Sequence, residues 1–91
     1  MAEWKRQIDL SDLYAKFENG DISDQDMLDG LRYAWYNFID HNPYIQLLDD
    51  FYRLDDAVEE LAIVESLEEA DYLLDTIYDF ADENRIWVKT F

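Results

Sequence analysis

The side chains in this 91-residue chain that could do chemistry are overwhelmingly carboxylates. The run SLEEADYLLDTIYDFADEN, residues 66–84, holds Glu68, Glu69, Asp71, Asp75, Asp79, Asp82 and Glu83 without a single lysine or arginine. Carboxylates can serve as general acids and bases, as ligands for hard cations, or as fixed anions. The first two roles lack their usual companions. His41 is the only histidine, stands three residues after Phe38 and belongs to no E-x-x-H or H-E-x-x-H pattern, so it reads as a cap on a helix dipole. There is no cysteine, which removes thiolate metal sites and disulfides. DISDQDMLDG has the composition of a calcium loop but not its register of alternating acids, glycine at the sixth position and glutamate at the twelfth. No glycine-rich phosphate loop occurs. The expectation is a protein that is not an enzyme and takes no metal or cofactor, which leaves the role of fixed anions.

Spacing gives those anions a geometry. At 100° per residue Glu68, Asp71, Asp75, Asp79 and Asp82 fall within about an 80° sector of one helix, opposite Ala70, Leu73, Leu74, Ile77, Phe80 and Ala81. Seven charges over roughly 25 Å is one per about 3.6 Å, close to the 3.4 Å axial spacing of phosphates along one DNA strand. A second helix carries Asp26, Asp29 and Asp40 on its polar side, interleaved with Tyr33, Tyr36 and Asn37, and Asp49 and Asp50 follow it. A solubilising face is the plainer account of any one stripe. Solvated helices, however, usually mix lysine or arginine among their acids for i, i+4 support, and here that mixing is nearly absent. Repulsion accepted on several helices argues that the field is used. Tyr33, Tyr36 and Tyr72, set beside these acids, add contact area and a surface for cation–π contacts with arginine. Tyr14, Tyr44 and Tyr52 read instead as core or core-edge residues, and Trp4, Trp35 and Trp87 as packing anchors.

The charge is concentrated in the middle of the chain. Net charge is −16, and between Gln7 and Asn84 there are 22 acids against Lys16, Arg32 and Arg53, while both ends are slightly basic. Such a field repels nucleic acid and anionic membranes and attracts basic surfaces, so direct nucleic-acid or membrane binding is not expected and a basic protein partner is. With 49% hydrophobic and 16% aromatic residues the chain is too apolar for an acidic disordered tail and is expected to fold as one domain over 1–91. MAEWKRQIDL lacks the apolar run of a signal peptide and no stretch reaches transmembrane length, so the cytoplasm is the expected compartment.

The elements that must position these residues are mostly helical: a mainly α fold, a compact bundle of about four helices, with a short β-pair available to the N- and C-terminal segments. Two glycines, read as turn residues, and one proline are the only breakers. Leu10, Leu13, Tyr14 and Phe17 predict a first helix over about 10–19, with Gly20 at the left-handed C′ position. Ser23 and Asp26 cap a long second helix ending at HNP. Asn42 and Pro43 open a third, with Tyr44, Leu47, Leu48, Phe51 and Leu54 buried, a break near LDD, and a restart capped by Asp56 and Glu59. ELAIVES fits a buried helix end or a short strand. Ser66 and Glu69 form a capping box for the last helix, and RIWVKTF alternates like a strand that EWKRQIDL could pair with.

A small, cysteine-free, helical domain with acid-plus-tyrosine surfaces across residues 20–84 resembles the DNA-mimic proteins that bacteriophages and mobile elements deploy against host defences, of anti-restriction and anti-CRISPR type. That resemblance implies a partner with a basic nucleic-acid channel, occupied in place of DNA. The partner-facing residues would be Asp26, Asp29, Tyr33, Tyr36, Asp40, Asp49, Asp50, Glu68, Asp71, Tyr72, Asp75, Asp79 and Asp82. The segment IDLSDLYAKFENGDISDQDMLDGL, residues 8–31, is similar to the opening of helical bacteriocin-immunity proteins, which implies the alternative of an immunity protein or antitoxin against a basic nuclease toxin. Either kind of protein could act as a monomer or a homodimer.

Overall fold

The computed structural model describes residues 6–91. Its elements are β1 (Gln7–Asp9), α1 (Ser11–Glu18), α2 (Asp24–Asp40), a 3-10 helix (Pro43–Leu47), α3 (Phe51–Leu61), α4 (Leu67–Glu83) and β2 (Trp87–Lys89). Four helices and a two-stranded sheet made by the two ends of the chain are the architecture the sequence predicts. The strands run parallel, in the register Gln7 to Trp87, Ile8 to Val88 and Asp9 to Lys89.

Local chemistry starts and stops the helices as their sequences require. Asn19 and Gly20 end α1 in a Schellman turn: Asp21 N–H donates to Lys16 C=O at 2.8 Å and Gly20 N–H to Phe17 C=O at 3.1 Å, with Gly20 at φ +78°. Ser23 caps α2 in a closed capping box, its Oγ accepting from Asp26 N–H at 3.1 Å while the Asp26 carboxylate accepts from Ser23 N–H at 3.4 Å. His41 ends α2, its Nδ1 lying 2.9 Å from the Asn37 carbonyl. Ser66 caps α4 through Glu69 N–H at 3.2 Å, but the expected box does not close, because the Glu69 carboxylate accepts from Glu65 N–H, one residue earlier. Arg85 then holds a left-handed conformation, φ 60°, in a second Schellman turn: Ile86 N–H donates to Ala81 C=O and Arg85 N–H to Asp82 C=O.

The helices enclose one core. Met27, Leu28, Leu31, Trp35, Phe38 and Ile39 of α2 meet Leu54, Ala57, Val58 and Leu61 of α3 and Ala70, Leu73, Leu74, Ile77, Phe80 and Ala81 of α4. Burying a large apolar side chain contributes about 1.5–3 kcal/mol, so these faces hold the bundle together against its own charge. Trp35 is completely buried, edge-on to Phe38 with centroids 5.8 Å apart. Its indole N–H has no acceptor among the described residues, so it contributes packing alone. α1 reaches the core by crossing α2 at Gly30, where a Cβ would sit 2.6 Å from a Leu13 methyl.

Several expectations are corrected. Gly30 makes no turn; it lies inside α2 and supplies room for Leu13. Pro43 starts a single 3-10 segment, not an α-helix; the Asn42 side chain makes no cap, Ile45 is the buried residue and Leu47 is 78% exposed. The chain breaks at 48–50 and not at the LDD of residues 54–56, because Leu54, Ala57, Val58 and Leu61 form an unbroken i, i+3, i+4, i+7 face that leaves Asp55 at its margin, half-buried. Asp56 and Glu59 therefore lie within α3 and restart nothing. ELAIVES is a helix end followed by a turn, with Ile63 exposed. Tyr52 and Trp87, read as core-edge and anchor residues, are 65% and 64% exposed. Trp4 lies outside the described residues.

Candidate functional site

On α2 an arc of about 100° holds Asp26, Asp29, Tyr33, Tyr36, Asn37 and Asp40, and all six are exposed. This follows from the helix period: the apolar residues at 27, 28, 31, 35, 38 and 39 turn inward and leave these outside. On α4, Glu68, Asp71, Tyr72, Asp75, Asp79 and Asp82 are likewise exposed, opposite a fully apolar buried face. Asp49 and Asp50 occupy the connection before α3, Asp49 exposed and Asp50 half-buried. The thirteen expected surface residues thus fall on three separate stretches.

Few of the charges are neutralised. Among the described residues there are three ion pairs: Arg32 with Asp29 at 2.9 Å, Arg53 with Asp50 at 3.4 Å, and Arg53 with Glu83 at 2.6 Å. Both arginines do structural work. Arg32 donates its Nε–H to Leu61 C=O and an Nη2–H to Val64 C=O, both at 2.6 Å, tying the α3–α4 turn to α2. Arg53 links the start of α3 to the end of α4, and the hydrogen bond and charge of Glu83 push its guanidinium further above its ordinary value. Asp29 and Asp50 are therefore paired within the fold, whereas Asp40, Asp49, Glu68, Asp71, Asp75, Asp79 and Asp82 have neither an ion pair nor a side-chain hydrogen bond among the described residues. The Tyr72 hydroxyl reaches the Glu60 carboxylate only at 3.5 Å.

Among the described residues, two of the surface clefts border these elements. One, of 440 Å³, lies between β1 and the C-terminal half of α2 and is lined by Gln7, Ile8, Asp9, Tyr33, Ala34, Asn37, Phe38, His41 and Asn42. Its carboxylate, Asp9, accepts from both Oγ–H and N–H of Ser11, at 2.5 and 2.9 Å, and these bonds hold it below the usual carboxylate range. The other, of 620 Å³, lies beside β2 and is lined by residues that include Tyr78, Asp82, Arg85, Trp87 and Thr90. Tyr78 shares a 2.6 Å hydrogen bond with the Tyr14 hydroxyl, and burial, followed by that bond, pushes its phenol well above the ordinary tyrosine value. The sequence does not signal the first cleft, since it is assembled from a strand and a helix distant in the chain, whereas the second follows the chain from the end of α4 into β2.

On α3, Asp55, Asp56 and Glu59 bring carboxylate oxygens within 4.8 Å of one another. A hard divalent cation accepts such donors, but exposed helical acids reach this separation without one, and six to eight oxygen ligands are usual for calcium. Comparison with protein families, with curated proteins and with solved structures gives no match to this chain.

Proposed function

We propose that the protein is an inhibitor that copies the charge of DNA and occupies the basic nucleic-acid-binding surface of a defence nuclease or DNA-binding complex, in the manner of anti-restriction and anti-CRISPR proteins, within a bacterial cytoplasm. The observation that carries this reading is the density of uncompensated charge. Sixteen net negative charges along a 39 Å long axis amount to one per about 2.4 Å, against one per 1.7 Å of duplex DNA. That axis equals about eleven 3.4 Å base-pair steps. Exposed tyrosines within the α2 and α4 stripes add surfaces suited to the arginines that line nucleic-acid channels. The inhibitor itself binds no nucleic acid, because its field repels phosphate.

The test is displacement. A fluorescently labelled 12-base-pair duplex is bound to each of a panel of purified restriction endonucleases and RNA-guided effector nucleases, and anisotropy is followed as the protein is added. Release of duplex from at least one target, weakening as sodium chloride rises, is the expected result. Binding of the labelled duplex by the protein alone, or no displacement across the panel, would refute the reading.

A further inference from the structure

The cleft between β1 and α2 borders the arc of α2 that carries Asp29 and Asp40 and shares Tyr33 and Asn37 with it, yet it differs in kind from the open acidic stripes. Ile8 and Phe38, both buried, and Ala34 give it an apolar wall. Tyr33 lines it with a ring that is 74% exposed. Asn37, one turn further along the helix, brings an amide, and Asp9 brings a carboxylate fixed by Ser11. Among the described residues no lysine or arginine lines it. Lys89 stands opposite Asp9 in the strand register, beyond ion-pair distance, and its charge adds a smaller share to the lowering that the Ser11 hydrogen bonds give the Asp9 carboxylate.

A ligand matching all four features needs an apolar stem, a flat cation that stacks on an aromatic ring, and several donors for amide and carboxylate oxygens. A guanidinium on three methylenes has each of these, whereas an ammonium is a compact, strongly hydrated point charge without a stacking face. We propose that this cleft is a socket for one arginine side chain of the basic partner, with the guanidinium against Tyr33 and Asp9 and the stem along Ile8, Ala34 and Phe38. This rests on the DNA-mimic reading for the existence of a basic partner. It adds a fixed anchoring point that a smooth anionic stripe would not have, and so a means of selecting among basic partners.

The probe is the peptide acetyl-Gly-Gly-Arg-Gly-Gly-amide, titrated into the isotopically labelled protein and followed by amide chemical shifts, beside peptides with lysine or citrulline in place of arginine. Saturable shifts confined to residues 7–9 and 33–42 and persisting at 300 mM sodium chloride, stronger for arginine than for lysine and absent for citrulline, are expected. Tyr33→Ala should weaken the arginine peptide about two- to fivefold, the scale of an exposed cation–π contact, while Tyr33→Phe keeps affinity and Tyr52→Ala, an equally open ring on α3, changes nothing. Shifts spread along the α4 stripe and abolished by salt would overturn the socket, as would equal affinity for lysine or indifference to Tyr33→Ala. The duplex-displacement assay separates the two ideas. Displacement with no localised peptide binding leaves mimicry standing and removes the socket; localised arginine binding without displacement from any target does the reverse.

Discussion

Arg85 shows how much a single residue can be asked to tolerate. It takes the C′ position of α4 that Gly20 takes in α1, at φ 60° against 78°, but carries a side chain into a backbone region that costs an L-residue roughly 1–2 kcal/mol. Arg85→Gly should therefore stabilise the protein, by about 0.5–1 kcal/mol after allowing for the extra freedom of glycine in the unfolded chain. Urea denaturation would register this as a higher midpoint at an unchanged slope; a lower midpoint would mean that the side chain compensates the backbone. Tyr78 supplies the pH dependence. Its folded pKa is raised by burial and by Tyr14, so its stabilising contribution is complete below the ordinary tyrosine value near 10 and is lost as pH rises beyond it. Absorbance titration at 295 nm should keep the Tyr78 phenol un-ionised until the protein unfolds, and Tyr78→Phe should remove that late step. The same outcome from Tyr72→Phe, an exposed ring, would contradict the assignment.

At the scale of elements, the two serine caps make a comparison. Ser23 closes its box with Asp26 while Ser66 has only half of one, so Ser23→Ala should cost about 1 kcal/mol or more and Ser66→Ala somewhat less, both read by thermal or urea unfolding. Equal costs would show that the reciprocal bond at 3.4 Å contributes nothing. The α4 stripe is expected to behave oppositely: changing Asp71, Asp75 and Asp79 together to Asn removes charges with no partner among the described residues, and stability should hold or rise. Association with a basic partner should nevertheless slow, most visibly at low salt, since exposed charges steer encounter. Stopped-flow association rates would decide it; an unchanged rate would mark the stripe as a solubilising face. Much at this scale is legible in the sequence because it is local. The turn at Gly20, the cap at Ser23 and the apolar faces of α2 and α4 each depend on residues a few positions apart. What fails depends on distant partners. Asn42 and Pro43 read as an α-helix start, but Ile45 is drawn inward where Leu47 was expected, and the margin of α3 accommodates Asp55 without a break. Of the candidate surface, the exposed acids and tyrosines follow from helical period. The pairing of Asp29 with Arg32, itself bound to the α3–α4 turn, does not, and neither does the cleft that Tyr33 shares with β1.

The whole molecule balances an apolar interior against a field that pushes its helices apart. Screening should favour the folded state: raising sodium chloride from about 20 mM to about 300 mM shortens the reach of repulsion from tens of ångströms to a few, and the melting temperature should climb. A fall would mean that the three ion pairs outweigh the repulsion, which their exposure argues against. The parallel pairing of β1 with β2 has its own consequence for how the chain comes into being. Gln7 and Trp87 stand eighty positions apart, and all four helices lie between them. Loop closure over such a length has to precede any reward from the contact, so the sheet is the slowest of the described elements to assemble and becomes available during synthesis only after all four helices. A nascent chain would carry its helices and its charge before the seam that joins its ends existed. The cleft beside Tyr33, one wall of which is β1, would therefore take its final shape only after β2 has left the ribosome.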